Sequence, residues 1–385
     1  MKRIWFFLIS LCLIFASTRS RDTVASQERA MVHAVGIDRE EDGYRVTLQV
    51  FRPEGSGPDT QLDAAKSNVF CISDKGETVE EALLRCEDRL GEFLFLGHDQ
   101  LIVLGQDADL TDPRGLFSYF LRGRECYLGV RVISADCEAA RLLKAELSEG
   151  AVAAENLVDV ADRHYKNSST VRCDLLGLLN SCELGCAVVP LAEPRSADGT
   201  AADSESEGGD SGSGSDKEGE SKKEGDTVSA AGAAVFVDGR RSFELEPRLC
   251  GALNCLLGGR ESELLQLSGR RGPVSVTLRH EGAETSYDIK DGRVRCRFDI
   301  KLSVIADNTT EAEFPPSDLC RQAEEAVLDQ CRALTDTAYS EGADVLGIAA
   351  AIRQRFPKFY RAHSSDPREL ASLCDFEFEV SCTAR

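Results

Sequence analysis

The sequence predicts a multi-domain α+β or mixed α/β protein, with an N-terminal mixed sheet flanked by helices and a C-terminal antiparallel sheet packed with long helices. Three observations carry this reading. Residues 44–51, 294–304 and 376–380 alternate apolar and polar with the two-residue period of a half-buried strand. Apolar stripes at helical spacing run through 79–93 and 319–338. A segment rich in Ser, Gly and acidic residues separates the two groups of elements.

At 385 residues the chain can form two or three domains. Met1, Lys2 and Arg3 precede a largely apolar run from Ile4 to Phe15, with Trp5, Phe6 and Phe7 near its head. That length suits the apolar core of a secretory signal and is short for a spanning helix. Residues 1–20 are therefore read as a signal peptide or signal anchor, and the rest as extracytoplasmic. The first domain is placed at 21–194. Residues 195–228 hold ten acidic and four basic residues and no aromatic. Such a stretch buries too little apolar surface to offset its ordering entropy, so it is read as a flexible linker or insertion. The second domain is placed at 229–385, with a division into two subdomains near 290 left open.

In the first domain, Tyr44 to Phe51 reads as a strand preceded by the turn Glu41-Asp42-Gly43. A helix follows from Thr78 to Phe95, with Val79, Leu83, Cys86, Leu90 and Phe93 on its apolar face and Thr78 with Glu81 as a capping box. Leu101 to Leu104 reads as a buried strand. A helix at 116–121 and a strand at 128–133 complete a β-α-β-α-β order. In the second domain, Ala233 to Val237 leads into Asp238-Gly239, and Thr285 to Ile289 turns at Asp291-Gly292 into the strand beginning at Val294. Ser317 is placed as the cap of a helix running to Ser340, with Leu319, Ala323, Val327, Cys331, Leu334 and Ala338 as its stripe. Asp344 is placed as the cap of another that stops near Phe356-Pro357. A last strand buries Phe376, Phe378 and Val380 on one face.

The net charge of −21 argues against a nucleic-acid partner. The chain offers no catalytic, cofactor or metal residue of useful specificity. His33, His98, His164, His280 and His363 are isolated in sequence. His98 and Asp99 are adjacent, and neighbours on a strand point to opposite faces. Cys182 and Cys186 lack a second close pair for zinc, because Cys250 and Cys255 do not supply one. The glycines Gly208, Gly209, Gly212 and Gly214 lie among acidic residues that would repel phosphate. Of the fifteen cysteines, Cys12 falls in the signal. The other fourteen are read as free thiols, with disulfides as the alternative in an exported protein.

Several stretches, taken in order, resemble the Ger(x)C family, the spore germination proteins that form the C subunit of GerA-type nutrient receptors. They are Ala34-Val35-Gly36-Ile37-Asp38, then Tyr44-Arg45-Val46-Thr47-Leu48-Gln49, then Leu96-Gly97-His98 before the strand at 101. Phe120-Leu121-Arg122, Gly232-Ala233-Ala234-Val235-Phe236, Ala343-Asp344-Val345-Leu346-Gly347 and Arg355-Phe356-Pro357-Lys358-Phe359-Tyr360 follow. The resemblance implies a non-enzymatic protein without cofactors. It implies a place at the spore inner membrane, beside two integral-membrane receptor subunits of the A and B types. The family's lipid-bearing Cys, counted back from Gly36, falls at Ser20, which has no thiol to acylate, so the usual lipid anchor is not expected. The competing readings are an exported binding or adhesion protein unrelated to spores, and a secreted thiol-redox enzyme, which would need a reactive Cys.

Overall fold

The computed structural model describes residues 29–51, 69–122, 126–144, 153–195, 227–259, 261–269, 272–305, 314–363 and 366–384. The signal or anchor at 1–20, with Ser20, and residues 196–226 lie outside them.

Strands β1 (Arg29–Glu40) and β2 (Gly43–Phe51) form a hairpin that closes with Glu40 opposite Gly43, around the expected turn. β3 (Val69–Gly76) pairs with β2. Helix α1 (Val79–Leu90) starts at Thr78, whose hydroxyl accepts from the Glu81 amide, while the Glu81 carboxylate accepts from the Glu77 amide. It is shorter than the periodicity implied. Gly91 closes it by donating its N–H to the Glu87 carbonyl. Phe93–Phe95 is instead strand β4, parallel to β1, and Phe93 is exposed. Val79, Leu83 and Cys86 are buried as expected.

β5 (Leu101–Leu104) is buried on both faces. The helix expected at 116–121 is two single turns, α2 (Pro113–Leu116) and α3 (Ser118–Leu121). β6 (Arg131–Ala135) begins three residues later than expected, because Tyr127 to Val130 form a turn closed by the Val130 N–H on the Tyr127 carbonyl. Helices α4 (Ala139–Lys144), α5 (Ala153–Lys166) and α6 (Leu175–Cys182) and strand β7 (Cys186–Arg195) follow. β8 (Thr227–Ser229) pairs with the end of β7, Arg195 opposite Thr227. The ends of the sequence-read linker are therefore strand, and the acidic segment departs from and returns to the tip of one hairpin. Main-chain pairing needs no apolar side chain, which is why composition missed these ends.

β9 (Ala233–Val237), β10 (Arg240–Leu245) and α7 (Pro247–Leu256) come next. Then come β11 (Ser262–Gly269), β12 (Gly272–Lys290) and β13 (Arg293–Ile305). Residue 290 lies at the tip of the β12–β13 hairpin, inside one sheet, so no subdomain boundary falls there. α8 (Pro316–Ser340) buries all six residues of its expected stripe. Its N-cap is Pro315 with Pro316 in the first turn, so Ser317 sits inside the helix and is not the cap. α9 (Ile348–Arg355), α10 (Pro357–His363) and α11 (Pro367–Ser372) lead to β14 (Cys374–Ala384).

The first sheet has the order β10-β9-β7-β6-β5-β1-β2-β3. Its centre, β7-β6-β5-β1, is parallel, and its flanks are antiparallel. Helices cover both faces. Leu83, Tyr119, Phe120 and Leu178 pack on one, and Ala139, Leu142, Leu143 and Leu157 on the other. The second sheet has the order β11-β12-β13-β14. Its last strand is parallel to β13, not antiparallel as the sequence suggested, because β14 is reached by a long crossover through α8 to α11. Phe376, Phe378 and Val380 are half-buried against the second core, with Phe376 edge-on to Tyr339 at 4.6 Å.

The two halves share strand β9. Its Ala234 and Phe236 belong to the first core, and its Ala233, Val235 and Val237 to the second. Among the described residues no helix is long and apolar enough to cross a membrane.

Candidate functional site

The motif residues are fold-building devices. Asp38, two residues before the end of β1, has its carboxylate accepting from the amides of Ala139 (2.6 Å) and Ala140 (3.1 Å), the free donors at the start of α4. Burial pushes the Asp38 carboxyl above its ordinary pKa, and the two amides oppose that rise. Gly36 is required for the close approach of α4: a Cβ there would lie 2.9 Å from Leu143 Cδ1 and 3.1 Å from the Ala139 Cβ. Gln49 donates to the Leu143 carbonyl at the end of α4 and accepts from the Ala154 amide at the start of α5. In parallel α/β sheets, ligands usually enter beyond the carboxyl ends of the strands. Here Asp38 and the start of α4 occupy that position after β1.

Asp344 plays the same part in the second half. It accepts from the Tyr339 hydroxyl at 2.7 Å and from the amides of Ile348 (2.8 Å) and Ala349 (2.7 Å), so its side chain holds the start of the next helix, but the N-cap position that the sequence reading gave to Asp344 belongs to Gly347, three residues on. Asp344→Ala would leave three buried donors without an acceptor and is expected to cost about 4 kcal/mol of folding stability. Urea unfolding measures this, and a loss below about 1 kcal/mol would contradict it.

His98 packs edge-on against Phe95 at 5.5 Å, and Asp99 turns inward to accept from the Leu101 amide at 3.3 Å, so the two take different roles. Cys182 ends α6 and Cys186 begins β7. Among the described residues, no group of three or more His, Cys, Asp or Glu is placed to hold a metal ion. Cys250 and Cys255 are buried on α7 in the second core. The fourteen described cysteines are free thiols. Burial pushes many of them up, Cys86 and Cys331 to about 12, so these two are not reactive thiolates at neutral pH.

Two concavities lie where the halves meet. One, of about 570 Å³, is lined by Arg172, Asp174, Ser181, Asn254, Asp344 and Gly347. The Asn254 amide donates to the Thr170 carbonyl at 2.7 Å and fixes one wall. The other, of about 530 Å³, is lined by Ser168, Arg248, Glu263, Thr277 and Gln330. Behind it, Glu263 Oε1 lies 4.0 Å from His280 Nε2, with the two side chains 10% and 2% exposed. Burial raises Glu263 to about 7 and lowers His280 to about 4.

Glu263 and His280 were not singled out from the sequence, although a signal existed. Glu263 has the same parity along its strand as buried Leu265 and Leu267, and His280 the same as buried Val276 and Leu278.

The chain matches the family model described as "Spore germination protein N-terminal domain" over residues 22–194. It matches the model described as "Spore germination B3/ GerAC like, C-terminal" over residues 231–385. The chain therefore belongs to the GerAC-like family of spore germination proteins. Among solved structures it is similar to that titled "Crystal Structure of the GerBC protein", with a TM-score of 0.50 at 12% identity, covering 91% of this chain and 96% of that one. At that identity the likeness concerns the fold alone. No curated protein matches the chain.

Proposed function

We propose that the protein is a non-enzymatic subunit of a membrane-bound nutrient germinant receptor. It acts on the extracytoplasmic side of the spore inner membrane, beside two integral-membrane subunits of the A and B types. The observation that carries this reading is the match of both family models, in order, to the two halves of the chain.

Ser20 stands where the family's lipidated Cys is expected. The run Ile4 to Phe15 would span about 18 Å as a helix against a hydrocarbon core of about 30 Å. Membrane association is therefore assigned mainly to the partner subunits. Fractionation of spore membranes with and without the two partner genes tests this. The protein is expected to leave the membrane fraction when the partners are deleted. Retention together with fatty-acid labelling would overturn the assignment and point to Cys12.

A further inference from the structure

The last strand carries a pair of facing thiols at its C-terminal end. β14 is an edge strand of the second sheet, with β13 as its neighbour. α8 lies against it and runs the opposite way. Tyr339, near the end of α8, packs edge-on against Phe376, and Glu324, nearer its start, accepts from the Cys382 amide at 2.8 Å. Between these two contacts the helix rises about 22 Å, at roughly 1.5 Å per residue, and the strand about 20 Å, at roughly 3.3 Å per residue. The rises match, so the two elements track each other along their length.

Cys320 sits one turn before Glu324, and residues four apart project from the same helix face. Cys382 meets that face, and the Cys320 and Cys382 thiols are in hydrogen-bond contact. Facing sulfurs on neighbouring elements are the first geometric requirement of a disulfide. Both residues are only partly buried, so a dissolved oxidant reaches them. The other thiol contact of β14, between Cys374 and Cys296, lies at the start of the strand. Cys296 is 0% exposed and is closed to the same reagent.

The two thiols at the C-terminal end are unequal. Burial, with the hydrogen bond to Cys320 second, pushes the Cys382 thiol up to about 12, so it keeps its proton at neutral pH. Attack on an oxidant is therefore assigned to Cys320.

We infer that Cys320 and Cys382 form a redox-controlled staple, closed by thiol–disulfide exchange with a small-molecule disulfide such as oxidised glutathione. The Cys320 sulfur attacks one sulfur of the glutathione disulfide, forms a mixed disulfide and expels one glutathione as its thiolate. The Cys382 sulfur then gives up its proton, attacks the Cys320 sulfur and expels the second glutathione. The protein loses two hydrogen atoms and the oxidant gains them. The bridge ties the edge strand to α8 across the whole crossover from α8 to β14, which restrains the unfolded chain and stabilises the oxidised form. This inference does not rest on the receptor reading.

The test equilibrates the full-length protein with oxidised or with reduced glutathione at pH 8. After oxidation, a non-reducing digest should contain a peptide that links Cys320 to Cys382. The oxidised protein should melt about 5 °C or more above the reduced one. Cys320→Ser should melt with the reduced parent and lose the redox-dependent shift. Cys382→Ser should trap glutathione as a mixed disulfide on Cys320. An oxidised parent without the linked peptide, a redox-dependent shift that persists in Cys320→Ser, or Cys382→Ser without glutathione on Cys320 would each overturn the inference.

Discussion

A chain that starts at Ser229 is expected not to fold cooperatively on its own, and to do so when residues 22–195 are supplied as a separate chain. Strands β9 and β10 follow the acidic segment in sequence yet complete the first sheet, β9 pairing with β7 from Cys186–Val237 to Pro190–Ala233. Alone, the fragment would expose Ala234 and Phe236, which are buried in the first core, and an unpaired edge along β9. It would also lose the Leu110 amide to Gly239 carbonyl bond at 2.7 Å, the Arg241 bond to the Ala135 carbonyl at 2.9 Å and the Gly232 amide bond to the Ser169 carbonyl at 2.7 Å. Removing 196–226 from the intact chain should by contrast leave the melting temperature nearly unchanged, because that segment leaves and rejoins one hairpin tip. Amide dispersion by NMR decides the first point. A well-dispersed spectrum from the isolated fragment would show that the second half needs nothing from the first sheet.

Stability should depend little on pH through the Glu263–His280 pair between about pH 4.5 and 6.5, and Glu263→Gln should reveal a strong dependence there. Glu263 rises from 4.5 to about 7 on folding, so the stability associated with it is full below pH 4.5 and is lost as pH rises through 7. His280 falls from 6.5 to about 4, so its contribution is present above pH 6.5 and is lost as pH falls through 4. Between these limits the folded pair holds one proton and the unfolded pair also holds one, and the two slopes cancel. With Gln at 263 only the histidine slope remains. The variant should gain about 3 kcal/mol, relative to the parent, between pH 4 and 6.5. His280→Gln should show the opposite trend, weakening from pH 4.5 to 7. Urea titrations at pH 4.5, 5.5, 6.5 and 8 measure this. Parallel profiles for the parent and Glu263→Gln would show that the pair is not linked to folding.

The recurring motifs of the chain gain a physical meaning from these contacts. Asp38 and Asp344 are short acidic side chains that reach the free amides of a helix arriving from elsewhere in the sequence or just beyond. Gly36 exists to admit that helix.

By itself the sequence determined the mixed α/β class, the family and the elements with strong local periodicity. The stripe from Leu319 to Ala338, the alternation from Val294 to Val304 and the run Leu101 to Leu104 all lie where their patterns placed them. These are local properties, written in the spacing of apolar residues along a few turns or pleats. Tertiary structure alone decided the rest. It ended α1 at Leu90, turned Phe93–Phe95 into a strand beside β1 and made β14 parallel. It carried β9 across the acidic segment into the first sheet, set Glu263 and Ser168 on the wall of one cavity, and buried His280 beside Glu263. Each of these depends on partners far away in the chain. Pairing direction is set by the path of the connection, and a polar residue's environment by which elements close over it. Neither quantity is carried by the residue or its neighbours in sequence.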